Sequence, residues 1–91
     1  MEPIEVELLM MGERIRKNRE LLGMTRDQLS EKMGITTKFL SDVEYGYRGL
    51  SLKNLCKISQ ILGVSSDYLL LGSDSFHRRL VCEVKYYVET V

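Results

Sequence analysis

Metal ligands are scarce in this chain, which has two cysteines, Cys56 and Cys82, and one histidine, His77. The cysteines form no CxxC and show no metal-ligand spacing, and His77 has no Cys or His neighbour at such a spacing. Neither a zinc site nor a redox pair is expected, and both cysteines read as reduced thiols. Long apolar runs are missing too: none approaches the roughly 20 residues that span a bilayer. The acidic start, with Glu2, Glu5 and Glu7, is unlike a signal peptide. A cytoplasmic protein is the expectation. No Ser-His-Asp set and no Gly-rich phosphate loop is present, which argues against an enzyme and implies no cofactor. Charge of one sign is also lacking, because thirteen basic and thirteen acidic side chains cancel. That balance sits poorly with nucleic-acid binding, which ordinarily needs a basic patch.

What is present is enough for one domain: 91 residues, 44% of them apolar, can bury a modest core without metal or disulfide support. The charge is unevenly spread. Residues 12–64 hold ten Lys and Arg against six Asp and Glu, so the centre is positive and the neutralising acids lie mainly at the two ends.

Residues 25–46, TRDQLSEKMGITTKFLSDVEYG, read as two short helices hinged at a glycine. Thr25 suits an N-cap, Asp27 places negative charge in the first turn, and Leu29 and Met33 share one face. Gly34 then offers the left-handed conformation that ends a helix. Ile35 plugs the turn, Thr36 caps the next helix, and Leu40 and Val43 form its inward face. The small Ser30 falls where crossing helices would touch. Any helical hairpin would show these apolar positions as core, so what points to DNA is the polar remainder. Thr37, Lys38, Ser41 and Asp42 share an outward face at the start of the second helix, whose first residues reach base edges in helix-turn-helix proteins.

The flanking segments complete a helical bundle. A first helix is expected over about 12–22, with Ile15 and Leu22 inward, Gly23 closing it, and Arg14, Arg16 and Lys17 outward. Residues 1–11 fit either a backward continuation of that helix, with Ile4, Leu8, Met11 and Ile15 at helical spacing, or a strand; the helix is preferred. Gly46 to Leu50 make a loop. Ser51 caps a fourth helix with a stripe of Leu52, Leu55, Ile58 and Leu62, ended by Gly63, with Cys56 half-buried beside it. A short fifth helix covers 66–71. The C-terminal extension, residues 72–91, fits a helix through Phe76, Leu80, Val84, Tyr87 and Val91, or a strand through Leu80, Cys82, Val84, Tyr86 and Val88. Helix is preferred, and its apolar surface suggests a partner subunit.

In order, GERIRKNRELLGMT, QLSEKMGI, TTKFLSDVEYGYRGLS, LCKISQILGV and DYLL resemble the Cro/C1-type, or XRE-like, helix-turn-helix family over residues 12–70. The resemblance implies an all-α, five-helix, lambda-repressor-like domain over residues 12–71. It further implies a homodimer on a partly palindromic double-stranded DNA operator. Thr37, Lys38, Ser41 and Asp42 match base-facing positions, with Lys38 suited to the O6 and N7 acceptors of guanine. Thr37 would touch a thymine methyl or donate to a phosphate. Arg26, Thr36, Tyr47, Arg48, Lys53 and Asn54 match phosphate-contact positions, Arg26 standing where the family usually carries Gln. Arg19 and Glu44 match an ion pair that joins helix 1 to the end of the recognition helix. Asp42 departs from the family's polar or basic residue; it either selects cytosine through N4 or weakens DNA affinity. Leu50, where the family often has Pro, bears only on loop stiffness.

The leading expectation is a sequence-specific transcriptional repressor. The alternative is a protein-interaction module or antitoxin on the same fold, supported by zero net charge and Asp42 and opposed by the basic centre.

Overall fold

The computed structural model describes residues 7–72; the alternatives weighed above for residues 1–6 and 73–91 lie outside the described residues. Five helices follow in order: α1 Leu8–Leu21, α2 Arg26–Met33, α3 Thr37–Glu44, α4 Leu52–Leu62 and α5 Ser66–Leu71. Each helix after the first starts at a side-chain cap. Thr25, Thr36, Ser51 and Ser65 accept from the amides of Gln28, Phe39, Asn54 and Tyr68, and the Gln28 side-chain oxygen accepts from the Thr25 amide to close a capping box. The chain reverses between α2 and α3 at Gly34, whose φ of 71° is left-handed and accessible without strain only to glycine. Lys57 of α4 donates to the Met33 carbonyl at 3.1 Å, satisfying one of the acceptors that the end of α2 leaves open.

Every helix contributes to one core. Met11 and Ile15 of α1 meet Leu29 and Met33 of α2, Leu40 and Val43 of α3, Leu55, Ile58 and Leu62 of α4, and Leu69 of α5. The α1 and α3 helices pass very close. A Cβ on Gly12 would run into the Val43 and Glu44 carbonyl oxygens, so the absence of a side chain lets α1 lie against the end of α3.

Several expectations are corrected by this packing. Helix α1 begins at Leu8, so the preferred reading of the N-terminal segment as a continuation of the first helix holds over residues 8–11. Leu22 is exposed rather than inward: it is the C-cap of α1, and the half-buried Met24 packs on the core instead. The inward position one turn after Ile15 is filled by Arg19. Leu52, at 77% exposure, precedes the buried stripe of α4, which starts at Leu55. Cys56 is exposed, because its single-residue offset from Leu55 turns it about 100° round the helix. Arg14 does not face outward freely; it is half-buried and donates to the Leu69 carbonyl at 3.1 Å, tying α1 to α5. Arg16 is half-buried as well, leaving Lys17 exposed and paired with Glu13 at 3.7 Å.

Candidate nucleic-acid interface

Two polar clusters set the position of α3. The first holds its C-terminal end. Glu44 is the last residue of α3, and the apolar face formed by Leu40 and Val43 carries it inward until its side chain is 1% exposed. A carboxylate so enclosed needs strong donors. Arg19 supplies two, Nε to Oε2 at 2.8 Å and Nη2 to Oε1 at 3.1 Å, and its Nη1 donates to the Met24 carbonyl at 2.8 Å. Arg26 adds a third, Nε to Oε1 at 2.9 Å. The Arg26 guanidinium also lies 5.3 Å from the centre of the Tyr45 ring, a cation–π contact. Hydrogen bonding to Glu44, opposed by partial burial, raises the pKa of Arg26 above arginine's ordinary value. One carboxylate therefore joins α1, α2 and α3.

The second cluster holds the N-terminal end. The Thr37 hydroxyl donates to Asp27 Oδ1 at 2.8 Å and lies 3.2 Å from the Ser30 hydroxyl, which bonds the Asp27 carbonyl. Ser30 is buried at this crossing of α2 and α3. In this arrangement the Thr37 hydroxyl hydrogen is given to Asp27 on the neighbouring helix.

Between these anchors, Lys38 projects with its side chain 85% exposed. Thr36, Lys38, Phe39, Asp42 and Arg48 line an open groove of about 350 Å³. Asp42 Oδ2 lies 3.6 Å from Lys38 Nζ and 3.9 Å from Arg48 Nε, and the Arg48 guanidinium sits 5.5 Å from the centre of the Phe39 ring. The expected residues thus divide. Thr36, Lys38, Asp42 and Arg48 share the groove, and Ser41 is half-buried on the same helix. Tyr47 is exposed, its ring 6.2 Å from that of Tyr45. Lys53 is exposed and Asn54 half-buried in the first turn of α4. Arg26 differs most from expectation. Its Nε is committed to Glu44 and one hydrogen of its Nη2 approaches the Tyr45 hydroxyl at 3.5 Å, which leaves Nη1 and the second Nη2 hydrogen for other acceptors.

Asp27, Phe39 and Tyr45 were not among the expected site residues. Asp27 pointed only to a helix dipole effect, and the two aromatics matter through arginines that reach them from other parts of the chain. Among the described residues, no group of three or more His, Cys, Asp or Glu side chains could hold a metal ion.

Two short helices crossing at a glycine turn, inside a five-helix bundle and with a polar face turned outward, define a helix-turn-helix domain. The family's sequence profile matches residues 15–69, and the chain belongs to the Cro/C1-type, or XRE-like, helix-turn-helix family. It is similar to the SPbeta prophage-derived HTH-type transcriptional regulator YonR of Bacillus subtilis, 41% identical over 70% of this chain. The chain spans 59% of that relative and 54% of ImmR, an HTH-type transcriptional regulator of the same organism that is 35% identical over 76% of this chain. Among solved structures it is similar to the P22 c2 repressor in complex with a synthetic operator. That likeness has a TM-score of 0.68 and 34% identity, over 70% of this chain and 97% of that one.

Proposed function

We propose that this chain binds double-stranded DNA sequence-specifically and represses transcription, inserting α3 into the major groove of an operator as one half of a homodimer. The observation that carries the reading is Lys38. It stands fully outward at the start of a helix whose far end is locked by Glu44 and whose near end is tied to α2 through Thr37 and Asp27. A base reader needs such rigidity, because hydrogen bonds to base edges tolerate little displacement. Lys38 donates to guanine, the Thr37 methyl meets thymine, and Ser41 and Asp42 face the bases that follow. Thr36, Arg48, Tyr47, Lys53 and Asn54 grip phosphates, joined by the free end of Arg26. Thr36 keeps its hydroxyl hydrogen for this, since in capping α3 its oxygen only accepts. The regulator names of the relatives and the operator complex of the P22 repressor support the same reading.

Electrophoretic mobility shift against the promoter beside its own gene, at two salt concentrations, tests it. One fragment should bind far more tightly than random DNA, with affinity falling as salt rises. Equal binding to every fragment, or none, would favour the protein-interaction alternative.

A further inference from the structure

Of the two acids in α3, Glu44 is buried and fully bonded, whereas Asp42 opens on the groove with its side chain 24% exposed. Its carboxylate stands between the Lys38 ammonium at 3.6 Å and the Arg48 guanidinium at 3.9 Å. Both separations are too long for strong hydrogen bonds, so these are Coulombic contacts at a wet surface and add little to folding. Their consequence lies in what the two cations bind next. A phosphate entering the groove carries a full negative charge; it must draw Lys38 and Arg48 away from Asp42 and is itself repelled by the carboxylate. A base edge is uncharged, so the repulsion is weaker, and the N4 amino group of cytosine can donate to the carboxylate.

The geometry points to Asp42 as an internal counter-anion that suppresses nonspecific duplex binding and thereby sets the specificity of the reading surface. The inference rests on the DNA-binding reading above. Asp42 holds the place of a phosphate until base edges compensate Lys38, and the groove shifts its preference from backbone to sequence.

The test compares wild type and Asp42→Asn on two probes by fluorescence anisotropy over a range of salt. One probe is a duplex selected from a random pool by the wild-type protein; the other is a scrambled duplex of the same composition. Asp42→Asn should tighten binding to the scrambled duplex about tenfold and steepen its salt slope by about 0.9 per protomer, as one more phosphate is neutralised. The selected duplex should gain less or lose affinity, so the ratio of the two falls. Equal tightening on both probes, or unchanged affinity for the scrambled one, overturns the inference. In a Lys38→Met, Arg48→Met background the same substitution should have a much smaller effect; an undiminished effect there means a plain surface charge and also overturns it. Should Asp42→Asn fail to fold by circular dichroism, Asp42→Ser carries the same expectations. Wild-type protein that binds neither probe removes the DNA-binding reading and this inference with it, whereas wild-type binding with an unaltered specificity ratio in Asp42→Asn removes this inference alone.

Discussion

Glu44 accepts from two guanidiniums while its own side chain is almost fully enclosed. Replacing it by alanine leaves the buried Arg19 with only the exposed Glu20, 3.8 Å away, as counter-charge, and urea unfolding should register a loss of about 3 kcal/mol. Arg26 sets the pH behaviour of the same cluster. A group whose pKa is raised on folding contributes stability below its unfolded pKa and loses it only as pH climbs through the folded one. For arginine both values lie beyond ordinary alkaline conditions, so the urea midpoint difference between wild type and Arg26→Gln should stay flat from neutrality to about pH 10. A midpoint difference near zero at neutral pH would contradict the Arg26–Glu44 bond. At the reading surface, Lys38→Ala should relax base preference at one position per half-site, at about 1–3 kcal/mol; uniform weakening on all sequences would make Lys38 a phosphate contact. The family resemblance pairs Arg19 with Glu44, but nothing in it brings Arg26 to the same carboxylate. That convergence needs the crossing of α2 and α3, which sequence spacing does not encode.

At the scale of the helices, the tie between α2 and α3 is a short polar chain. Thr37→Val keeps a methyl but removes the donor to Asp27, and should cost about 1 kcal/mol in thermal unfolding. If that tie sets how α3 is presented, affinity for the selected duplex falls while thymine preference persists. The contact of α1 with α3 is stricter. Gly12→Ala pushes a methyl against backbone oxygens that cannot swing aside as a side chain would, and about 1–3 kcal/mol should be lost in urea unfolding. Element existence was legible from caps, glycines and apolar spacing, because these are local properties of the chain. The faces at helix ends were less so. Leu22 and Leu52 fit the periodicity of their helices yet lie outside the core, since a period says which side a residue takes and not how far along the helix its neighbours extend.

For the whole molecule, net charge is a poor guide to surface charge. Part of the surplus of basic residues over 12–64 is engaged internally, with Arg14 on the Leu69 carbonyl, Arg19 on Glu44 and Lys57 on the Met33 carbonyl. Lys38, Arg48 and Lys53 stay exposed on or beside the reading surface. With Arg26, Arg48 and Lys53 as phosphate contacts in each protomer, a dimer should show log affinity falling against log salt with a slope of roughly −5. Half that slope would indicate a monomer on DNA, and analytical ultracentrifugation of the complex provides the independent check. No described helix is long and apolar enough to cross a membrane.

The amino-acid sequence by itself determined the order of the five described helices, the hinge at Gly34, most of the apolar residues that share a core and the family to which the chain belongs. These follow from local propensity, capping chemistry and periodicity, each readable within a few neighbouring residues. The tertiary structure decided which charges are free. It enclosed Glu44 between Arg19 and Arg26, turned the Thr37 hydroxyl back toward Asp27, and set Asp42 between Lys38 and Arg48. A side chain becomes available to a partner only after the helices around it have taken the donors and acceptors they need, and that competition exists only in three dimensions.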